Sequence, residues 1–242
     1  MRLLLIRHGD PNYEIDGLTE TGKRESALLA ERIAPMDIAE YYVSTMGRAL
    51  ETARPTLELA GRTAKECGWL REFSVGVHRP DCSGLSHVPW DWLPQDWSKS
   101  PALLDRERWF EHPIFVEQDV KGAYDAVIAA FEAVLAEHGY VRDGLCYRVE
   151  RQNSDTLAFF CHFGVSCVLM SRLMNVSPMV LWHGMAMAPT SVTTIYTEER
   201  RPGIASFRAA AIGDISHLYA HRQEPSFSAR FCEVYGNGDR ID

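Results

Sequence analysis

Short apolar runs alternate along the chain with segments whose apolar positions recur every three or four residues. Residues 3–6 (Leu-Leu-Leu-Ile) form an unbroken apolar run that stops at Arg7-His8-Gly9. This pattern is typical of a strand buried on both faces. A helix is predicted over 20–33, because Thr19 can cap its first turn and Ala27, Ala30 and Ile33 would share one face.

The same reasoning predicts further strands at 41–43, 146–151, 156–161, 192–197 and 204–211, and further helices at about 47–59, 119–138 and 165–174. The clearest of these is the helix over 119–138, whose apolar side chains follow the spacing of one buried face. A turn at 152–155 is predicted to join two of the strands. Strands that alternate with helices predict an α/β fold, a three-layer sandwich with a mostly parallel central sheet flanked by helices.

Residues 74–117 show no clean periodicity, and they contain Trp90, Trp92, Trp97 and Trp109 together with five prolines. We predict an insertion over the carboxyl ends of the strands, within a single domain that spans residues 1–242. Its aromatic side chains could form a lid that selects a bulky or apolar leaving group. Alternatively, these side chains form a local mini-core or a homodimer contact. For any single tryptophan, this alternative is the better interpretation.

Composition excludes several classes of protein. The net charge is −8, whereas a general nucleic-acid binder needs a basic face, so no nucleic-acid partner is expected. Six scattered cysteines show no metal-ligand or disulfide spacing, and the remaining histidines show none either. The apolar run near the N-terminus is too short for a signal peptide or a membrane span, so we expect a cytoplasmic protein without a membrane partner.

Two histidines follow predicted strands directly. His8 ends the first strand and His162 ends the strand at 156–161, and each has a glycine within two residues, Gly9 and Gly164. Ligands of open α/β sheets bind at the carboxyl ends of the strands, so both histidines are predicted to reach one site. A single histidine at a strand end is more often structural, but Arg7 beside His8 changes that balance, because its guanidinium matches phosphate oxygens.

The order of motifs resembles that of the histidine phosphatase (phosphoglycerate mutase-like) superfamily, over nearly the whole chain. The segments that carry the resemblance are Leu-Leu-Ile-Arg7-His8-Gly9, Leu18-Thr19-Glu20-Thr21-Gly22, residues 44–53 with Arg48, Cys161-His162-Phe163-Gly164 and Gly213-Asp214-Ile215-Ser216-His217-Leu218.

The resemblance implies a role for each matching residue. His8 would be the nucleophile, and Arg7, Arg48 and His162 would form the phosphate pocket, with Gly9 keeping the loop tight. The Leu-x-Glu pattern in Trp69-Leu70-Arg71-Glu72-Phe73 would make Glu72 the proton donor, although a solvated surface glutamate is the alternative. Another branch of the family has an aspartate after the second histidine, where this chain has Phe163.

The resemblance implies a phosphatase that hydrolyses a small phosphorylated substrate through a phosphohistidine on His8, without metal or cofactor. A phosphoglycerate-type mutase is the first alternative, but the connection at 10–17 is short and no mutase-type extension is recognisable at 74–78. A non-catalytic module that binds a phosphorylated ligand is the second alternative, and a phosphoprotein phosphatase is the third. The family's extra phosphate ligand, an asparagine, is replaced here by Glu14, with Asn12 two positions early.

Overall fold

A computed structural model describes residues 1–79, 88–226 and 228. Its strands are β1 (Arg2–Arg7), β2 (Pro11–Asn12), β3 (Gly17–Leu18), β4 (Glu40–Ser44), β5 (Lys65–Cys67), β6 (Tyr140–Asp143), β7 (Cys146–Val149), β8 (Thr156–Cys161), β9 (Val192–Arg201) and β10 (Ile204–Asp214). Its helices are α1 (Glu20–Ile33), α2 (Gly47–Ala60), α3 (Pro94–Trp97), α4 (Pro113–Val116), α5 (Val120–Glu137), α6 (Phe163–Met174), α7 (Pro178–Gly184) and α8 (Ser216–Ala220).

Eight of the strands form one sheet in the order β5-β4-β8-β1-β9-β10-β7-β6. The pairs β5–β4, β4–β8 and β8–β1 are parallel, and the pairs from β1 onward are antiparallel. The parallel half therefore places the carboxyl ends of β5, β4, β8 and β1 side by side at one edge of the sheet.

Strand β1 lies inside this sheet and is covered on both faces. Leu4 and Ile6 pack with Leu29 and Ala53 of helices α1 and α2. Leu3 and Leu5 belong to the opposite core, which holds the inner faces of α5 and α6. Alternate residues of a strand point to opposite faces, so the run of four apolar residues requires both layers. The predicted three-layer α/β sandwich is confirmed.

The predicted bounds of helix α1 are also confirmed, because Thr19 Oγ1 accepts the Gly22 N–H at 3.0 Å. The connection predicted around residues 152–155 is different. It links β7 to β8, which are not neighbours: β8 lies between β4 and β1, whereas β7 pairs with β6 and β10. Strand β6 was not predicted from the sequence, because its four residues follow a long helix and two of them are charged.

The Trp-rich insertion forms short helical turns, of which residues 88–117 are described and residues 80–87 lie outside the described part. Trp92, Trp97 and Trp109 are buried in the main core, and Trp109 contacts Trp182 of α7 edge to face. These three tryptophans therefore have a packing role, but they pack into the main core rather than into a local mini-core. Within the described residues, no helix is long and apolar enough to cross a membrane.

Candidate active site

Strand pairing brings the two predicted histidines together. In the parallel pair β1–β8, Arg7 lies opposite Cys161, so the next residue on each strand is a histidine. The His8 N–H continues the ladder by donating to the Cys161 carbonyl at 3.0 Å. The ring centroids of His8 and His162 are 5.0 Å apart. The structure therefore places both rings at the carboxyl edge of the parallel half.

The His8 ring is held in one tautomer. Its Nδ1 lies 2.7 Å from the Gly9 carbonyl oxygen, which can only accept, so Nδ1 carries the hydrogen and Nε2 carries the lone pair. Burial, together with the charges of Arg7 and Arg48, lowers the pKa of His8 well below its usual value. The ring is therefore neutral at neutral pH, and Nε2 is available as a nucleophile.

Gly9 lies against helix α1. Its N–H donates to Thr52 Oγ1 at 2.9 Å, and a Cβ at this position would lie 2.8 Å from the Gly22 carbonyl oxygen and 2.9 Å from Ser26 Oγ. Both contacts are shorter than van der Waals separation. The chain can pass this close to α1 only because residue 9 has no side chain.

Gly9→Ala is expected to lower the free energy of unfolding by about 1–3 kcal/mol, because the added methyl overpacks the contact with Gly22 and Ser26. Urea denaturation would measure the change. Gly68→Ala is the matched control, since a Cβ there meets nothing within 4 Å. Equal effects of the two substitutions would contradict this packing role.

The two arginines are buried beside these rings. Arg7 Nη1 donates to the Met187 carbonyl, and Arg48 Nη1 donates to Asp16 Oδ1 at 2.5 Å. Among the residues that the structure describes, neither arginine has a hydrogen-bond partner for its buried Nε atom. Arg48 lies in the first turn of α2, where the helix dipole adds positive potential. Both guanidinium groups therefore have unused donors.

His162 is fully buried, and its Nε2 lies 2.8 Å from Ser44 Oγ at the end of β4. Its Nδ1 is buried and has no hydrogen-bond partner in the described ranges 1–79, 88–226 and 228. Burial, followed by the charges around it, lowers the pKa of His162, so the ring is neutral at neutral pH. A buried polar atom without a partner costs free energy, which an anionic ligand at this position would recover.

Glu72 follows the end of β5 and reaches the N-terminus of α6. Its Oε1 accepts the N–H of Phe73 at 2.8 Å and the N–H of Val165 at 3.0 Å. Burial raises its pKa, which these hydrogen bonds and Arg7 oppose. A Cβ on Gly164 would lie 2.7 Å from Glu72 Oε1 and 2.2 Å from the ring of Trp90. Glu72 is thus a partly buried carboxyl beside Trp90, and the solvated surface position considered from the sequence is wrong.

Several neighbours of the site were not singled out from the sequence. Asp16, on the loop before β3, also accepts the Gly47 N–H at 2.8 Å, and thereby ties this loop to the start of α2. Thr52 joins Gly9 to α2 through the Arg48 carbonyl. Ser44 was inside a recognised motif but had no assigned role. Asp16 carries no local signal, because its partner lies on another element.

Some polar side chains near these elements make hydrogen bonds that serve local structure. Asn12 Oδ1 accepts the Glu14 N–H, so it closes a turn, and Asp10 Oδ2 accepts the Thr19 hydroxyl at 2.6 Å. The His183 ring contacts the Met179 and Trp92 carbonyls in the insertion's core. Among the described residues, no three His, Cys, Asp or Glu side chains are grouped so that they could hold a metal ion.

Comparison with known proteins places this geometry in a family. The sequence profile of the histidine phosphatase superfamily (branch 1) matches residues 3–209. A protein from Schizosaccharomyces pombe (strain 972 / ATCC 24843), described as a probable phosphatase, is 40% identical over 68 residues. That match covers 24% of this chain and 32% of the yeast protein, so it spans about a third of the relative.

Solved structures share the fold at low identity. A phosphoserine phosphatase mutant from Entamoeba histolytica aligns with a TM-score of 0.58 and 16% identity, over 90% of this chain and 98% of that one. Mycobacterial glucosyl-3-phosphoglycerate phosphatase aligns with a TM-score of 0.55 and 20% identity, over 89% and 98% of the two chains. YhfR of Bacillus stearothermophilus aligns with a TM-score of 0.55 and 24% identity, over 90% of this chain and 98% of that one. With the profile match over most of its length, the chain belongs to the histidine phosphatase superfamily.

Proposed function

We propose that this protein is a metal-independent phosphomonoester hydrolase that acts through a phosphohistidine on His8. One observation carries the proposal. Within the part of the chain that the structure describes, Arg7 Nε, Arg48 Nε and His162 Nδ1 are buried without hydrogen-bond partners, and the neutral His8 ring beside them has no hydrogen bond at Nε2. Unused donors and a nucleophile at one strand edge match the needs of an incoming phosphoryl group, which requires both charge neutralisation and in-line attack.

In the first step, His8 Nε2 attacks phosphorus, a P–N bond forms, and the bond to the leaving oxygen breaks. The hydrogen bond from Nδ1 to the Gly9 carbonyl stabilises the positive charge that develops on the ring. Arg7 and Arg48 offset the charge of the phosphoryl oxygens, and they can do so without a metal ion. His162 contributes a further hydrogen bond through Nδ1.

Glu72 donates a proton to the leaving alkoxide in this step. Its raised pKa keeps a larger fraction of the carboxyl protonated near neutral pH. In the second step, the ionised Glu72 removes a proton from water, whose oxygen forms a bond to phosphorus. The P–N bond breaks, its electron pair returns to His8 Nε2, and phosphate is released. Trp90 and Glu72 both lie against Gly164, so we propose that this tryptophan also contacts the leaving group.

The relatives give this proposal limited support. The matched yeast protein is described as a probable phosphatase, and two structural neighbours act on phosphoserine or glucosyl-3-phosphoglycerate according to their names. A small phosphorylated substrate is therefore the class that we propose. The mutase alternative predicts interconversion of phosphoglycerates without net phosphate release, and the binding-module alternative predicts binding without turnover.

Hydrolysis of a chromogenic aryl phosphate in EDTA is expected between about pH 5 and 8. Rapid quenching at neutral or alkaline pH, followed by mass spectrometry, should find one phosphoryl group on the peptide that contains His8. Phosphate release that requires an added divalent metal would contradict the proposal, as would a phosphoryl group on another residue. Binding of phosphate without any turnover would favour the binding module.

A further inference from the structure

The turn at residues 187–191, between α7 and β9, contacts both residues that begin the proposed site. The Arg7 N–H donates to the Ser191 carbonyl at 3.0 Å, and the Arg7 side chain donates to the Met187 carbonyl. The Thr190 N–H donates to the His8 carbonyl at 3.1 Å. The positions of Arg7 and His8 therefore depend on the conformation of this turn.

Thr190 adopts an unfavourable backbone conformation. Its φ is +58°, in the left-handed region that a β-branched residue rarely adopts, and its side chain is fully buried. Such a conformation persists only when surrounding contacts hold it. Thr190 Oγ1 donates to the Pro189 carbonyl at 2.7 Å, which leaves the hydroxyl oxygen free to accept one hydrogen bond.

His217 of helix α8 supplies that hydrogen bond. Its Nε2 lies 3.0 Å from Thr190 Oγ1, and its Nδ1 lies 3.4 Å from Arg32 Nη1. Arginine can only donate, so Nδ1 carries the lone pair and Nε2 carries the hydrogen. Arg32 is held in turn by Asp214, whose Oδ2 accepts from Nη2 at 2.6 Å.

The ring is kept in this neutral form. His217 is 5% exposed, and the groups that face it are Arg32 of α1, Asp214 at the end of β10, and His221, which directly follows α8. Burial, followed by the charge of Arg32, lowers the pKa of His217 to about 4. The hydrogen bond to Thr190 is therefore present throughout the neutral range.

We propose that His217 is a positioning residue for the nucleophile: its Nε2–H fixes the Thr190 turn, and the turn fixes the backbone of His8 and the guanidinium of Arg7. The inference rests on the proposed function and adds a structural device outside the pocket. His217 is separated from the reacting atoms by Thr190, so it acts through the turn alone.

His217→Leu, which removes both ring nitrogens, is expected to lower kcat for an aryl phosphate about 10- to 100-fold while KM changes little, because a small displacement of a catalytic group is costly. His217→Gln can present an amide donor near the position of Nε2, and it should restore most of the activity. His221→Leu is the matched control, since His221 is a half-exposed histidine near the end of the same helix. It should behave like the wild type.

Thr190→Val removes the hydroxyl but keeps the branched side chain. It should cause a similar loss of kcat, and the double variant with His217→Leu should lose no more than either single variant, since both break the same link. This variant keeps the inference testable if His217→Leu fails to fold. Additive losses, or a His217→Leu enzyme with wild-type kcat, would overturn the inference.

A readout without turnover separates this inference from the proposed function. The ring ¹⁵N resonances of His8 report its tautomer and its hydrogen bond to Gly9. They should change in His217→Leu and stay unchanged in His221→Leu. An inactive wild type would refute the hydrolase proposal alone, whereas unchanged His8 resonances in His217→Leu would refute the positioning role alone.

Discussion

His8→Ala is expected to reduce kcat for phosphomonoesters by about 10⁴-fold or more, equivalent to roughly 5.5 kcal/mol of transition-state stabilisation. The nucleophile is lost, and the nearby ring of His162 cannot replace it, because its Nε2 is bonded to Ser44 and its Nδ1 is the proposed hydrogen-bond donor to the phosphoryl group. Steady-state rates of phosphate release from an aryl phosphate would measure the loss.

The same variant should still bind phosphate, because Arg7, Arg48 and His162 remain in place. An increase in thermal stability with added inorganic phosphate would show this binding. His78→Ala is the matched control, since His78 is exposed and has no role in the proposed site. Residual activity of His8→Ala within tenfold of the wild type would exclude His8 as the nucleophile.

Glu72→Gln is expected to lower kcat for an alkyl phosphate about 10²- to 10⁴-fold, because the alkoxide leaving group needs a proton. An aryl phosphate has a leaving group that departs without one. The first step should therefore stay fast, and the loss of the general base should slow hydrolysis of the phosphoenzyme. The expected result is a burst of one equivalent of phenol followed by slow turnover.

The pH dependence tests the same role. The pKa of Glu72 is raised by burial, and the acid must be protonated when the alkyl leaving group departs. Activity of the wild type on an alkyl phosphate should therefore fall as the pH rises through this raised pKa. Glu72→Gln should lack that decline. The amide keeps an oxygen that can accept the Phe73 and Val165 N–H groups, so the fold should be preserved.

Glu14→Gln is the control for loss of one negative charge, because Glu14 is exposed and its N–H donates to Asn12 Oδ1. It should leave both substrates unaffected. Equal losses for alkyl and aryl phosphates in Glu72→Gln, without a burst, would show that Glu72 has a structural role only. The acid would then have to be sought elsewhere in the pocket.

The local elements were predictable because their signals are local. A strand with four consecutive apolar residues is stable only when both of its faces are buried, because alternate side chains point to opposite faces. Strand β1 is buried in this way. A threonine directly before apolar residues that recur every three or four positions marks the first turn of a helix. Helix α1 begins directly after Thr19. His8, Arg7 and His162 carried their own signal, since they stand at the ends of apolar strands, whereas the roles of Arg48 and Glu72 followed from the resemblance to the family.

The pairing of elements was much less predictable. The chain segments β7 and β8 are separated by a short turn, yet they lie at different places in the sheet. Which strands become neighbours depends on the total apolar area that the packed layers bury. That area includes contacts between residues far apart in sequence. Most tryptophans of the insertion likewise showed no pattern of their own, because they fill the space that α5, α6 and α7 leave open.

Sequence alone thus established the type of fold, most of its helices and strands, and the residue types that could carry phosphoryl chemistry. Folding determined how those residues meet. The alignment of Arg7 with Cys161 sets His8 beside His162. Packing between distant elements forms the hydrogen bonds of Arg48 with Asp16 and of Thr190 with His217. Such partners have no spacing rule along the chain, because their distance depends on how all the layers pack together.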